Sequence, residues 1–288
     1  MGDPLFSVRN AFYLGAYNQV INEAADLDLS DAQGIERDCL VYRSYLALGS
    51  HELVLSEIRD TSATSLQAVK LLAQYRSGKG PGKDGILSTL SEWLADAACN
   101  RNPTVLLVAG IIYLHEGSTV EALQACHSGA TLELQALCVQ CYLKLDRLDK
   151  AEQALKVMCT TDDDATLTQL ATAWYGLAMG GTKVQEASYI FQELGDKYNW
   201  TALLYNCRAL CHMKAGEWEE AERDLLDALS KDAKDPDTLA NLITVGLHLA
   251  KSTARYASQL KVIAPTHPIV QRMAAGDDAF SRAAAAMA

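Results

Sequence analysis

The sequence predicts an all-α fold, because three observations favour helices throughout the 288-residue chain. Leucine and alanine dominate, and both have a high helix propensity, whereas runs of β-branched residues are short. Only six prolines are present, so most of the chain is free to form regular structure. Short amphipathic segments recur with turn residues between them. These features together predict a solenoid built from pairs of antiparallel helices.

The clearest repeat unit spans residues 203–235 and has the order helix, turn, helix, with the turn at Gly216. In its second helix, small residues at Ala221 and Ala228 flank the larger Leu225. Small side chains let the paired helices approach closely, and the larger one fills the space against the next pair. This order of residue sizes is typical of a tetratricopeptide repeat.

Positions equivalent to Ala221 recur along the chain, and five of the seven intervals between them are 34 residues, the period of tetratricopeptide repeats. These positions are Val20, Val54, Ser88, Ala122, Ala151, Ala187, Ala221 and Arg255. A glycine stands five residues before four of them, at Gly15, Gly49, Gly117 and Gly216. We therefore predict a tetratricopeptide-like, right-handed superhelical solenoid of about eight helix pairs, followed by a C-terminal helix.

The repeat pattern is weakest in the third and eighth pairs and ends near Pro265. In the third pair, residues 77–85 (SGKGPGKDG) predict a flexible loop in place of a tight turn. Beyond the eighth pair, the alanine-rich end has helix propensity but little to bury. We predict a solenoid domain over residues 1–265 and a C-terminal capping helix with a frayed tail over residues 266–288.

Composition and charge exclude several classes of partner. The net charge is -11 and the isoelectric point is about 5.0, so the surface repels a phosphate backbone, and we expect no nucleic acid partner. No apolar stretch approaches the roughly 20 residues of a membrane span, and the first residues lack a signal-peptide core. The eight cysteines then indicate reduced, buried thiols. We predict a soluble cytosolic protein.

The strongest candidate for chemistry is a pair of cysteine-rich segments, Cys138-x2-Cys141 and Cys207-x3-Cys211-His212. Thiolates and an imidazole at such spacings can bind zinc. However, Cys141 and Cys211 occupy the same repeat position two repeats apart, which favours small-residue packing in two separate helices. We therefore expect no metal and no other cofactor.

Other catalytic patterns are incomplete. Gly80-x4-Gly85 is followed by Ile86, where a phosphate-binding loop needs lysine and then serine or threonine. The sequence contains neither a Gly-x-Ser-x-Gly elbow nor a His-Glu-x2-His helix. We predict a protein that is not an enzyme and has no small-molecule substrate. An enzyme that uses the cysteine-rich helices is the alternative, and zinc analysis of the purified protein would reveal it.

In stacked helix pairs of this type, the first helices line the inner surface, and here their inward positions are mainly apolar with isolated polar anchors. We predict a concave protein-binding groove lined by Phe12, Arg43, Leu46, Leu107, Ile111, Leu114, His115, Tyr175, Leu203, Asn206, Leu210 and Met213. A groove for acidic peptide tails would need clustered cations, and the inward lysines and arginines are instead spread along the chain. A large, mostly apolar protein partner is therefore favoured over a short charged peptide, which is the second alternative.

Several segments are similar to one known family, the epsilon subunits of coatomer, the coat of Golgi-derived vesicles. They are residues 3–24, 36–49, 143–156, 162–181, 186–198 and 203–222. The similarity runs in collinear order over nearly the whole chain, and DATLTQLATAW at residues 164–174 is far more specific than generic repeat residues. Residues 77–101 match less distinctly.

The resemblance implies a structural, non-catalytic subunit of the COPI coat. Members of this family bind and stabilise the C-terminal domain of alpha-COP, and their repeats curl around a protruding part of it. The resemblance also implies contacts with other coatomer subunits, membrane recruitment through the small GTPase Arf, and a role in retrograde Golgi-to-endoplasmic-reticulum and intra-Golgi transport. It implies a cytoplasmic protein that is peripheral on Golgi membranes and COPI-coated vesicles. The family has no catalytic residues to transfer.

Overall fold

A computed structural model describes residues 3–27, 29–129 and 131–287, and every regular element within these ranges is an α-helix. The helices are α1 (Phe6–Tyr13), α2 (Tyr17–Ala24), α3 (Asp31–Ala47), α4 (His51–Glu57), α5 (Thr64–Ser77), α6 (Gly82–Ala95), α7 (Pro103–His115), α8 (Thr119–Cys126), α9 (Leu132–Lys144), α10 (Leu148–Thr161), α11 (Thr166–Met179), α12 (Thr182–Lys197), α13 (Ala202–Ala215), α14 (Trp218–Lys231), α15 (Pro236–His248), α16 (Ala254–Ile263) and α17 (Pro268–Met287). The predicted all-α fold is confirmed.

The chain divides into two compact units, one ending at Met179 and the other beginning at Gly180. Unit 1 contains α1 to α11, and unit 2 contains α12 to α17. The boundary predicted after residue 265 falls inside unit 2, between α16 and α17, and it stays a prediction. In the part of the chain that the structure describes, no helix is both long and apolar enough to cross a bilayer.

The turns between paired helices are those that the glycine pattern predicts. Gly216 ends α13 with φ of 81°, in the left-handed region that a residue without a Cβ enters at little cost. The other three predicted turn glycines have φ between 79° and 81°. In the fifth pair, which lacks the glycine, Asp146 takes the left-handed conformation with φ of 55°. A short polar side chain tolerates this conformation better than most, so the same turn forms without glycine.

The predicted loop at residues 77–85 is shorter in the structure. Helix α5 continues to Ser77 and α6 already begins at Gly82, so only residues 78–81 lie between the helices. Pro81 precedes the first helical residue with φ of -71°, and Asp84 lies in the first turn, where a carboxylate complements the helix dipole. These two residues favour a helix start, which the glycine content of the segment concealed.

The repeat positions form the core between helices. Six of the eight positions that define the period are almost fully buried: Val20, Val54, Ala122, Ala151, Ala187 and Ala221. The other two, Ser88 and Arg255, are exposed and belong to the two pairs with the weakest pattern. In α6, the burial falls instead on Ile86 and Leu90. Local size patterns therefore identify the packing face wherever the repeat is regular.

The packing of Trp200 against α12 in unit 2 depends on Gly195. A Cβ added there would lie 2.4 Å from Cε2 of the Trp200 ring. Gly195→Ala is therefore expected to lower the free energy of unfolding by about 1–3 kcal/mol, as overpacking does in dense cores. Urea unfolding followed by circular dichroism measures this. The control is Gly276→Ala in α17, where a Cβ meets open space, and its midpoint should stay unchanged or rise slightly. Equal midpoints for the wild type and Gly195→Ala would contradict this packing.

Candidate protein-binding site

The first helices of unit 1 form a closed ring. Each of α1, α3, α5, α7, α9 and α11 contacts the next, and α11 contacts α1. At the closure, Oγ1 of Thr166 in α11 donates a hydrogen bond to Oδ1 of Asn10 in α1 at 2.8 Å, and both residues are buried. Tyr13 of α1 also packs against the core cluster that contains Ala171. We call this arrangement the first-helix ring.

An ion pair crosses the interior of the first-helix ring. Arg43 of α3 donates to both carboxylate oxygens of Glu133 in α9, at 2.8 and 3.2 Å. In the order of the ring, α3 and α9 are opposite each other, so this contact spans the interior. The Arg43 side chain is 12% exposed and that of Glu133 is 23% exposed. Cζ of Arg43 also lies 4.5 Å from the centroid of the Phe12 ring, in cation–π geometry.

The electrostatics of the interior keep Arg43 charged. Burial alone would lower the pKa of Arg43, but the charge and hydrogen bonds of Glu133 outweigh it and raise that pKa. Burial, and then the nearby charge of Glu133, raise the pKa of the Tyr13 phenol. The ring interior therefore holds a charged Arg43, which donates two hydrogen bonds to Glu133, beside a neutral phenol. Such a pair is strongly directional because both hydrogen bonds lie in one plane.

Two of the residues predicted to line the groove in unit 1 are buried in the structure. Leu46 is 2% exposed and Leu107 is 6% exposed, and each belongs to a core cluster. Adjacent first helices in the ring approach closely and cover these side chains. They therefore offer no surface to a partner in this conformation. Phe12 and Arg43 do face the ring interior, but there they contact each other.

Four predicted residues of unit 1 remain accessible in part. Ile111, Leu114 and Tyr175 are half-buried and pack at the margins of core clusters, whereas His115 is exposed at the end of α7. The His115 ring lies 6.3 Å from the Tyr75 ring in an edge-to-face arrangement. These residues combine apolar area with polar groups, as the centres of protein interfaces do.

The other four predicted residues belong to α13 in unit 2. Asn206 is buried, its amide donates to Oδ2 of Asp235 at 3.1 Å, and its Oδ1 accepts from Asn241 at 3.1 Å. A buried amide must be paired, and these bonds join α13 to α15. Leu210 and Met213 are half-buried, and only Leu203 is exposed, at 37%.

Six of the eight cysteines pack as small buried side chains, and Cys99 and Cys159 are half-buried. Among the described residues the eight cysteines form no disulfide, and the two cysteine-rich segments lie in different units. The Sγ atom of Cys138 donates to that of Cys126 at 2.9 Å, a contact that the sequence spacing did not indicate. Burial raises the pKa of Cys211 to about 12, so its nucleophilic thiolate is scarce at neutral pH. Among the described residues, no group of three or more histidine, cysteine or acidic side chains is arranged to hold a metal ion.

Comparison with known families identifies the chain. The family model for the coatomer epsilon subunit matches residues 1–288. The chain belongs to this family. It is 51% identical over 281 residues to coatomer subunit epsilon-2 of Arabidopsis thaliana, an alignment that covers 98% of the chain and 96% of that relative. It is 34% identical to the coatomer epsilon subunit of Dictyostelium discoideum, with 92% of each covered.

Solved structures confirm the repeat fold. A tetratricopeptide repeat protein from Parabacteroides merdae superposes with a TM-score of 0.62 at 16% identity, over 89% of this chain and 96% of that one. A chain of the APC/C hetero-tetramer Cut9–Hcn1 superposes with a TM-score of 0.59 at 15% identity, over 93% of this chain and 52% of that one. At these identities the likeness concerns the fold alone. The chain is thus a tetratricopeptide-like component of coatomer, and it acts with other coatomer subunits in vesicle-mediated transport.

Proposed function

We propose that the chain is a non-catalytic structural subunit of the COPI coat that binds and stabilises the C-terminal domain of alpha-COP. Its binding surface is the inner face of the first-helix ring in unit 1. The observation that carries this proposal is the closure of α11 onto α1 in a member of the coatomer epsilon family. A ring touches a protruding partner segment from several helices at once, which increases the area buried and fixes its orientation.

The accessible part of the ring has the chemistry of a protein-binding surface. Ile111, Leu114 and Tyr175 supply half-buried apolar and aromatic area, and His115 supplies an exposed polar ring beside them. A partner that covers these side chains removes apolar surface from water without opening a core cluster. The Arg43–Glu133 pair crosses the interior of the ring and leaves no room for a partner at that depth. The partner segment therefore occupies the end of the ring near His115.

In this proposal the chain is cytoplasmic and reaches the Golgi membrane and COPI-coated vesicles only through the coat, which the GTPase Arf recruits. Its net charge of -11 supports indirect attachment, because anionic lipid headgroups repel an acidic protein. The coat then serves retrograde Golgi-to-endoplasmic-reticulum and intra-Golgi transport. The raised pKa values of the buried thiols Cys39 and Cys211 support a structural rather than a nucleophilic role for the cysteines.

Leu114→Asp is expected to weaken binding of the alpha-COP C-terminal domain at least tenfold, because it places a charge in a desolvated apolar contact. Titration calorimetry with the two separately purified components measures the affinity. The matched control is Val157→Asp on α10, a second helix, where the side chain is already 52% exposed, and its affinity should stay within about twofold of the wild type. His115→Asp repeats the test at an exposed position if Leu114→Asp loses helical structure. Unchanged affinity for both ring variants would contradict the proposed surface.

A further inference from the structure

Several basic side chains lie at one end of the first-helix ring, where the first helices finish. Arg76 is in the last turn of α5, His115 is the last residue of α7, and Lys144 is the last residue of α9. His51, the first residue of α4, follows the turn after α3. We call these four residues the ring rim. Their common position follows from the repeat, because every first helix of the ring ends at the same side.

Arg76 is the unusual member of the ring rim. Its side chain is exposed to water, yet burial by the surrounding protein is the main cause that lowers its pKa, and the positive charge of Arg43 lowers it further. The side chain is thus partly desolvated although it reaches water. Within the described residues, no ion pair and no side-chain hydrogen bond involves Arg76. Its guanidinium is therefore a charged group whose five N–H donors have no partner among the described residues.

The surroundings of Arg76 offer it no free carboxylate. Glu116, the acidic residue next to His115, accepts a hydrogen bond from Tyr75 at 2.6 Å and pairs with Lys83. Glu52, next to His51, pairs with Lys79. These acids already have cationic partners. The ring rim therefore has a positive potential, although the whole chain has a net charge of -11.

The positive charge of Arg76 also acts on the two histidines of the ring rim. Burial, and then the charge of Arg76, lower the pKa of both His51 and His115, and Lys144 lowers that of His115 further. Both imidazoles are thus neutral at neutral pH. Nδ1 of His51 is buried and has no hydrogen-bond partner. The ring rim therefore contains an unpaired guanidinium and an unpaired imidazole nitrogen on one side of the ring.

We propose that the ring rim is a carboxylate-binding site. The protein segment bound by the ring presents an aspartate or glutamate side chain to Arg76. The proposal rests on the proposed function, since it specifies the chemistry of the segment that the ring binds. A guanidinium bonds a carboxylate through two parallel N–H···O contacts. Partial desolvation at the ring rim makes such a pair stronger than one on a fully exposed surface. The pair would fix the register of an otherwise apolar segment.

A purely structural role for Arg76 makes a different prediction. A cation in the last helical turn also stabilises the negative end of the helix dipole. In that case substitution would change the stability of the free chain and leave its affinity for the partner unaltered. The two roles are separated by measuring unfolding and binding on the same variants.

The test is calorimetric titration of the alpha-COP C-terminal domain into the full chain at several salt concentrations. Arg76→Glu is expected to weaken binding about 10- to 100-fold, and Arg76→Gln about tenfold, with a smaller dependence on salt for Arg76→Gln than for the wild type. The matched control is Arg101→Glu, an exposed arginine between α6 and α7, at the opposite end of the first helices. It makes the same change in net charge and should bind within about twofold of the wild type.

A double-mutant cycle identifies the carboxylate of the partner that binds Arg76. Each aspartate and glutamate of the partner segment is changed to its amide, and one of these changes should remove most of the difference between Arg76 and Arg76→Gln. Equal affinities for Arg76→Glu and Arg101→Glu, or a cycle in which no partner carboxylate couples to Arg76, would overturn the inference and leave the proposed function standing. Absence of binding by the unmodified chain would overturn the proposed function itself.

Discussion

Replacing Arg43 with alanine is expected to lower the free energy of unfolding by about 2–4 kcal/mol. The change leaves the Glu133 carboxylate inside the first-helix ring without its two hydrogen bonds, and an uncompensated buried charge is strongly destabilising. It also removes the cation–π contact with Phe12. Urea unfolding followed by circular dichroism gives the size of the loss. The ring is thereby tested at the contact that spans it.

The control for this substitution is Arg147→Ala, which removes an arginine from a two-residue pair with Asp149 in which both side chains are more than half exposed. Such exposed pairs contribute little to stability, because water and salt screen the two charges. The double variant Arg43→Met with Glu133→Leu removes both charges and should regain most of the stability that Arg43→Ala loses. A loss for Arg43→Ala no larger than that for Arg147→Ala would show that the interior pair does not stabilise the ring.

Phe191→Ala is expected to lower the free energy of unfolding by about 3–5 kcal/mol. Phe191 lies in α12 of unit 2 and is fully buried, so truncation removes its apolar burial and leaves a cavity that the rigid helices cannot fill. The same urea measurement applies. Tyr189 is an aromatic residue on the same helix but is 62% exposed, and Tyr189→Ala should change stability by no more than about 0.5 kcal/mol. Comparable losses for the two variants would contradict the packing of α12.

The helix pairs follow from the sequence because their signals are local. A turn residue that enters the left-handed region and a small residue in the following helix recur within each repeat, as Gly216 and Ala221 do. Both requirements are steric and concern neighbours within one helix pair. They fail only where the repeat does: in the third pair the helix start at Gly82 depends on Pro81 and Asp84 rather than on a repeat position.

The closure of the ring could not be predicted from the repeat. Its contacts join residues that are far apart, 156 positions for Asn10 and Thr166 and 90 positions for Arg43 and Glu133. Helical periodicity indicates which face of a first helix is inward, but not whether successive inward faces meet. For that reason the predicted concave groove includes Leu46 and Arg43, whereas in the structure Leu46 is buried and Arg43 is paired with Glu133.

The ring rim was missed for a related reason. Along the sequence the basic residues of the groove are scattered, whereas the ring brings successive helix ends together. A signal was present, since Arg76, His115 and Lys144 each lie in the last turn of a first helix. Position within the repeat, rather than distance in sequence, would have grouped them. Whether these helices close on one another is set by tertiary packing, and no local pattern records it.

Site-specific photo-crosslinking tests the central claim most directly. A benzophenone amino acid replaces His115 at the end of the first-helix ring in one variant, and Val157 on the outer helix α10 in the other, and each is irradiated in the complex with the alpha-COP C-terminal domain. Binding by the inner face of the ring predicts a crosslink to the alpha-COP domain from position 115 and none from position 157. A crosslink from position 157 with none from position 115 would contradict it.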